Sequence, residues 1–163
     1  EKTPEAIVKL GDILRYVIYE AKNDKVRLEK EIKLIKDYID LEKLRTRYAE
    51  INFITEDIEN EIEIAPLLFL PLIENGFKHG IRGDKKGYFE ILMKQEGNML
   101  HFITENNRGE IDKVEKAEFK GIGIHNVKRR LEISYPGQHI FLIHENEKKF
   151  RVEMSIQIDH LKY

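Results

Sequence analysis

The sequence predicts an α+β fold, a two-layer sandwich in which helices cover one face of a mixed, mainly antiparallel sheet, with a helical segment in front of it. Three patterns point there. Two long amphipathic periods at helical spacing open the chain. Two pairs of alternating apolar runs, each joined by a short polar turn, follow later. Single helical periods precede each of these hairpins.

The elements follow in order. Thr3-Pro4-Glu5 has the chemistry of a helix start, with Thr as N-cap, Pro at the first position and an acid at the positive end of the dipole. Ile7, Leu10, Leu14, Val17 and Ile18 then make one apolar stripe, and Asn23-Asp24 breaks it. A second helix is expected from about Leu28 to Arg47, with Leu28, Ile32, Ile35 and Ile39 on one side and Lys and Glu on the other. Its length would be roughly 30 Å. The two stripes need partners, either the rest of the domain or a second copy of the chain.

Beyond Arg47 the period shortens to two. Ile51 and Phe53 alternate with polar residues, as do Ile62 and Ile64. An apolar helix is expected from about Pro66 to Ile81, with Pro71 near enough to its start to be tolerated and Gly83-Asp84 ending it. Phe89, Ile91 and Met93 pair across the turn Glu96-Gly97-Asn98 with Leu100, Phe102 and Thr104. Residues 107–120 are polar and without period, which predicts a long loop. Ile124, Val127 and Leu131 restore helical spacing until Pro136-Gly137, and a last hairpin joins 140–143 to 150–158.

Composition narrows the function. The 163 residues are 41% hydrophobic and 36% charged, and 28 basic against 30 acidic residues give a net charge of −2. Neither sign accumulates in any segment, so a nucleic-acid partner is not expected. With no cysteine, disulfides, thiolate metal sites and thiol nucleophiles are excluded. Neither a signal peptide nor an apolar run of membrane-spanning length is visible. Because the chain opens at Glu1 rather than Met, it reads as a piece of a longer protein; the piece itself is expected not to be membrane-inserted, and the longer protein is expected to carry a membrane anchor upstream.

Two segments behave unlike ordinary core or surface. In Pro71-Leu72-Ile73-Glu74-Asn75-Gly76-Phe77-Lys78-His79-Gly80, the residues Leu68, Leu72, Asn75 and His79 fall on one helical face. Asn75 and His79 therefore continue an apolar stripe with polar groups. An Asn so placed needs partners, and a magnesium ion largely neutralised by phosphates is one that its uncharged oxygen suits. Lys78 and His79 could meet phosphate oxygens from the same turn. The plain alternative is that Asn75 bridges protein groups and His79 is a satisfied core histidine. The second segment, Gly121-Ile122-Gly123-Ile124-His125-Asn126, opens a helix where backbone N–H groups can approach an anion. A dinucleotide fingerprint needs a preceding strand and a third glycine, and here a loop precedes and Asn126 stands third, so that reading is rejected. Between the two segments, at a strand end, strand parity puts Asn106 on the core side with Leu100, Phe102 and Thr104. There it could pair with a base edge or simply start the loop.

Taken together, these segments resemble the superfamily of gyrases, chaperone ATPases, histidine kinases and mismatch-repair ATPases, and within it the C-terminal ATP-binding catalytic domain of LytS-type sensor histidine kinases. The likeness extends over nearly the whole chain. It rests on Leu14-Arg15-Tyr16, on Tyr38-Ile39-Asp40-Leu41-Glu42-Lys43-Leu44-Arg45, on Pro71 to Gly80, and on Gly121 to Leu131 with Tyr135-Pro136. The resemblance implies a Bergerat-type ATP-binding fold over 49–163, with 1–48 as the C-terminal part of a helical dimerisation and linker region. It implies ATP with Mg²⁺, the ion held by Asn75 alone, with Lys78 and His79 placed near the phosphate tail and the backbone of Gly121, Ile122 and Gly123 wrapped around the triphosphate beside Asn126. Residues 107–120 would form the ATP lid and Asn106 would read the adenine. It further implies a homodimer through the helical region of the full-length protein, a response regulator as partner, and a place on the cytoplasmic side of the inner membrane.

Two departures from the family pattern matter. The adenine site of most of the superfamily has Asp followed by Asn-Gly, and here the stretch reads Glu105-Asn106-Asn107. Asn106 can accept a hydrogen bond from the adenine amino group without a charge to strengthen it, so weak nucleotide affinity is expected. The family's phosphoacceptor histidine lies in a Pro-His-Phe context that none of His79, His101, His125, His139, His144 and His160 has. The acceptor is therefore expected upstream, and the chain alone is not expected to phosphorylate itself. Hydrolysing members carry a general-base Glu four residues before the metal-binding Asn; here that residue is Pro71, and Glu74 projects about 100° away from Asn75 around the helix. This favours a kinase over a dedicated ATPase. The remaining alternative is a catalytically degenerate scaffold that dimerises and binds nucleotide weakly or not at all.

Overall fold

A computed structural model describes residues 2–46, 48–59, 61–81, 86–107 and 122–158. Helix α1 (Lys2–Tyr19) runs through a 3₁₀ turn (Glu20–Lys22) to a short strand β1 (Val26–Arg27) and helix α2 (Leu28–Lys43). Then come β2 (Ala49–Glu56), β3 (Glu63–Ile64), α3 (Leu70–Gly80), β4 (Gly87–Glu96), β5 (Met99–Asn107), α4 (Ile122–Ser134), β6 (His139–Glu145) and β7 (Lys149–Gln157).

The main sheet has the order β2-β4-β5-β7-β6. Only β2 and β4 run parallel, with Ile51 opposite Phe89, because α3 carries the chain back between them. The other three pairings are antiparallel. Alternate residues of β4, β5 and β7 are buried, so Phe89, Ile91, Met93, Leu100, Phe102, Val152, Met154 and Ile156 make one apolar face. Helices α3 and α4 bring Leu72, Ile73, Phe77, Val127 and Leu131 into the same core. Ring packing fixes the layer spacing. Phe69 lies against Phe102 with centroids 4.7 Å apart, and Phe77 stands edge-on to Phe89 at 5.3 Å. The fold is thus the expected sandwich of helices on one face of a mixed sheet.

Helix α2 joins this core through Leu28, Leu34, Ile35 and Ile39, and Tyr38 meets Phe77 with ring centroids 6.0 Å apart. Helix α1 is different. Tyr16 is buried and Ile13 packs on the core, whereas Ile7, Val8, Leu10, Leu14, Val17 and Ile18 stay exposed.

Several boundaries differ from expectation. Helix α1 already includes Lys2, so position 3 lies inside the helix and not before its first residue. Helix α2 stops at Lys43 rather than near Arg47, its end tightened by Leu44 N–H to the Leu41 carbonyl at 3.1 Å. The apolar run after Pro66 becomes helical only at Leu70, because Leu67 takes a left-handed φ of 55°. Pro71 then falls in the first turn of α3, where its missing N–H costs nothing. The sequence reading had no counterpart for the two-residue ladder that pairs Val26 with Ile64 and Arg27 with Glu63. Gly83-Asp84 lies outside the described residues.

Candidate nucleotide site

Helix α3 is the axis of the site. Its buried side carries Leu72, Ile73, Gly76, Phe77 and Gly80, while Asn75 and His79, one turn apart, are half-buried at the edge of that face. Lys78 and Glu74 are exposed. Although Glu74 reaches solvent, partial desolvation of its carboxyl, with the nearby charge of Glu42 on α2, pushes it above the ordinary value. Its electrostatic surroundings therefore belong to α2.

Two glycines of α3 and α4 bring the separated sequence segments together. A β-carbon on Gly80 would lie 2.6 Å from Asn106 Cγ and 2.7 Å from Asn106 Cβ, so the end of α3 rests directly on the Asn106 side chain. At the other end, a β-carbon on Gly123 would sit 3.8 Å from the Pro71 carbonyl oxygen. The first turn of α4 therefore approaches the first turn of α3, one turn before Asn75. From Pro71 to Gly80 the helix rises about 14 Å. Along α3 the glycine segment meets the first turn, Asn75 and His79 follow one and two turns later at the edge of the buried face, and Asn106 packs on the buried side at the end.

Asn106 is 2% exposed and on the core face of β5, as strand parity indicates, and its amide nitrogen donates to the Asn107 carbonyl at 3.0 Å. Asn107 Oδ1 accepts the Tyr88 N–H at 2.8 Å, which holds the strand end against β4. Glu105 points to the opposite face. It accepts from Lys149 Nζ at 2.9 Å, Tyr88 Oη at 3.0 Å and Arg151 at 3.4 Å. The hydrogen bond from Lys149 leads in holding its carboxyl below the ordinary value. A folded-state value below the unfolded one means stability that is present above the ordinary carboxylate range and lost as pH falls. Glu105→Gln is therefore expected to lower the melting temperature slightly at pH 7, and the two proteins should converge on acidification. Nucleotide binding should change less than about twofold, since the two faces of a strand are separate. A loss of binding comparable to that of an Asn106 variant would reverse the assignment of faces.

The remaining expected site residues separate. Ile122 and Gly123 lie in the first turn of α4, while Gly121 and residues 108–120 of the expected lid lie outside the described residues. Asn126 is exposed and lines a groove of about 550 Å³ with Lys22, Asp24, Pro66, Arg129 and Arg130, on the α1–α2 side of α4. Sequence reasoning overlooked Glu31, which is fully buried. It stands three residues after Leu28 and four before Ile35, on the stripe assigned to the core, and that spacing was the signal available.

Among the described residues no group of three His, Cys, Asp or Glu side chains could hold a metal ion by itself. A magnesium ion would need oxygens from phosphates, which is the setting in which a neutral Asn75 oxygen suffices. The residues present fit MgATP on that count, and on the approach of Gly123 to the start of α3.

The catalytic domain of the histidine kinase ThkA matches with a TM-score of 0.60 at 15% identity, over 82% of this chain and 94% of that one. ThkA in complex with the response regulator protein TrrA matches with a TM-score of 0.58 at 15% identity, over 94% of this chain and 48% of that one. The family model described as Histidine kinase matches residues 1–49. The sensor histidine kinase YpdA of Escherichia coli K12 is 33% identical over 147 residues, which is 83% of this chain and 26% of that protein. The sensor protein LytS of Staphylococcus saprophyticus is 24% identical over 177 residues, covering 99% of this chain and 29% of LytS. Over most of its length the chain is thus similar to sensor histidine kinases such as YpdA and LytS, and it spans between a quarter and a third of the length of these relatives.

Proposed function

We propose that residues 49–163 bind MgATP and supply the γ-phosphoryl group to a histidine nitrogen upstream of this chain, for relay to a response regulator. The observation that carries this is the convergence on α3. Gly123 approaches Pro71 at one end, Asn106 packs on Gly80 at the other, and Asn75 and His79 lie on the turns between. Bound magnesium would offset phosphate charge and leave positioning as the protein's main task. Asn75 would supply its oxygen to the ion, Lys78 and His79 would meet the phosphate tail, and the backbone of Gly121, Ile122 and Gly123 would wrap the phosphates. Asn106 would accept from the adenine amino group, and Asn126 would flank the glycine segment. Pro71 at the position of a hydrolytic base favours transfer over hydrolysis.

The helical part, residues 1–48, belongs to the same reading. The exposed apolar residues of α1 suit a homodimer interface. The ThkA–TrrA complex is a precedent, in a protein of this fold, for a response regulator as partner. No described helix is long and apolar enough to cross a membrane. We place the chain on the cytoplasmic side of the inner membrane, with any anchor elsewhere in the longer protein.

The test is calorimetric titration with a non-hydrolysable ATP analogue, with and without Mg²⁺. Binding in the presence of Mg²⁺ is expected, and Asn75→Ala should weaken it about 100-fold, or roughly 2.7 kcal/mol. A folded chain that binds no analogue at millimolar concentration would favour the dimerising scaffold, a reading that the uncharged Asn106 already supports.

A further inference from the structure

The turn that leads into α3 is held by side chains from elsewhere at three successive residues. The Ala65 N–H donates to Tyr135 Oη at 2.9 Å, the Pro66 carbonyl accepts from the Arg130 guanidinium, and the Leu67 N–H donates to Glu31 Oε1 at 2.7 Å. The same Glu31 oxygen accepts the hydroxyl proton of Tyr16, the buried aromatic residue of α1. Glu31 is 0% exposed, and its second oxygen, Oε2, has no hydrogen-bond partner.

A carboxyl group so buried depends on every donor it has. The charged and titratable groups facing it are Tyr16 from α1 and Arg130 from α4, with Glu20 acting on Tyr16 from the turn after α1. Burial pushes the Glu31 carboxyl above its ordinary value, and the Tyr16 hydroxyl, the Leu67 N–H and the Arg130 charge oppose that push. Removing one donor therefore weakens the hold on the other. Leu67 sits at φ 55°, a conformation that a leucine keeps only when its surroundings impose it. Two residues later Phe69 accepts the first bonds of α3, from Leu72 at 3.0 Å and Ile73 at 3.2 Å.

We propose that Glu31 is a positioning residue which couples the seating of α1, through Tyr16, to the start of α3, through Leu67. With Tyr16 seated, one oxygen holds both elements and the turn at 65–67 is fixed. Movement of α1 that withdraws the hydroxyl leaves a buried carboxyl with the Leu67 N–H alone, and the start of α3 loosens. The consequence for nucleotide binding rests on the function proposed above for α3, but the coupling itself does not.

The experiment is amide hydrogen exchange on the nucleotide-free chain, compared with Tyr16→Phe, which keeps the ring and removes the hydroxyl. Exchange at Leu67, Leu72 and Ile73 is expected to accelerate about tenfold, the scale of one hydrogen bond to a charged group, while β5 and β7 change less than about twofold. In the Tyr16→Phe background, Glu31→Gln should return protection at Leu67 to within about threefold of the parent, because a neutral amide whose oxygen keeps the Leu67 N–H is far less costly to bury than a carboxylate with that donor alone. Uniform acceleration across α3 and the sheet would reduce Tyr16 to a packing residue and overturn the proposal. So would unchanged exchange at Leu67, or failure of the Gln rescue. A parallel titration with the ATP analogue should show Tyr16→Phe binding about threefold to tenfold more weakly. If the parent binds no analogue, the proposed function fails while the exchange data still decide the coupling.

Discussion

Gly76→Ala is expected to destabilise the chain by about 3 kcal/mol, at the upper end for overpacking of a filled core. On an exposed helix the same change would add roughly 1 kcal/mol of stability through helix propensity. Here sterics win. A β-carbon at Gly76 would lie 2.5 Å from Phe89 Cε2 and 2.6 Å from Cε1, and nearer still to Cζ. Phe89 cannot yield easily, being 0% exposed, with Phe77 edge-on to its ring. It is also paired in register with Ile51 on one side and Asn106 on the other. The contact is therefore what lets α3 lie close to the sheet at the level of Asn75. Denaturant unfolding would measure the loss. The double variant with Phe89→Leu should recover part of it, a coupling between neighbours that independent sites would not show. A neutral or stabilising Gly76→Ala would mean that α3 sits farther from β4.

What the sequence disclosed divides along physical lines. The hairpin of β4 and β5 and the strand β7 were legible because one face is buried and the period of two is unbroken from Phe89 to Met93, Leu100 to Asn106 and Phe150 to Ile158. The same parity put Asn106 on the core face and Glu105 on the other. The start of α3 was not legible, because an apolar run reads alike in a helix and in a turn, and a left-handed Leu67 has no signature in composition. The parallel pairing of β2 with β4 joins residues nearly forty positions apart, which no local pattern encodes. The two-residue ladder of β1 and β3 is too short to show a period. Within the site, Asn75 and His79 could be placed on one face by counting. Which glycine touches which partner could not, since a missing side chain does not name the group that occupies its space. Glu31 was hidden for another reason. A carboxylate amid lysines and glutamates reads as solvated surface, and only its spacing from Leu28 and Ile35 argued otherwise.

Gly80→Ala should separate stability from recognition. The added carbon meets Asn106 Cβ at 2.7 Å and Cγ at 2.6 Å, so it cannot be relieved by turning the terminal amide alone. Either the end of α3 or the end of β5 must shift, at a cost of about 2 kcal/mol. With Asn106 displaced, its oxygen loses the placement assigned to it beside the adenine. Affinity for the ATP analogue should then fall about tenfold, the worth of one hydrogen bond to a ligand. Adding Asn106→Ala to Gly80→Ala makes room for the new carbon, so the double variant should unfold at higher denaturant than Gly80→Ala alone. Binding should nonetheless stay weak, because the accepting oxygen is now gone. Recovery of stability without recovery of affinity would tie Asn106 to the base rather than to the core. Recovery of both would leave Asn106 a packing residue and move adenine recognition to another side chain.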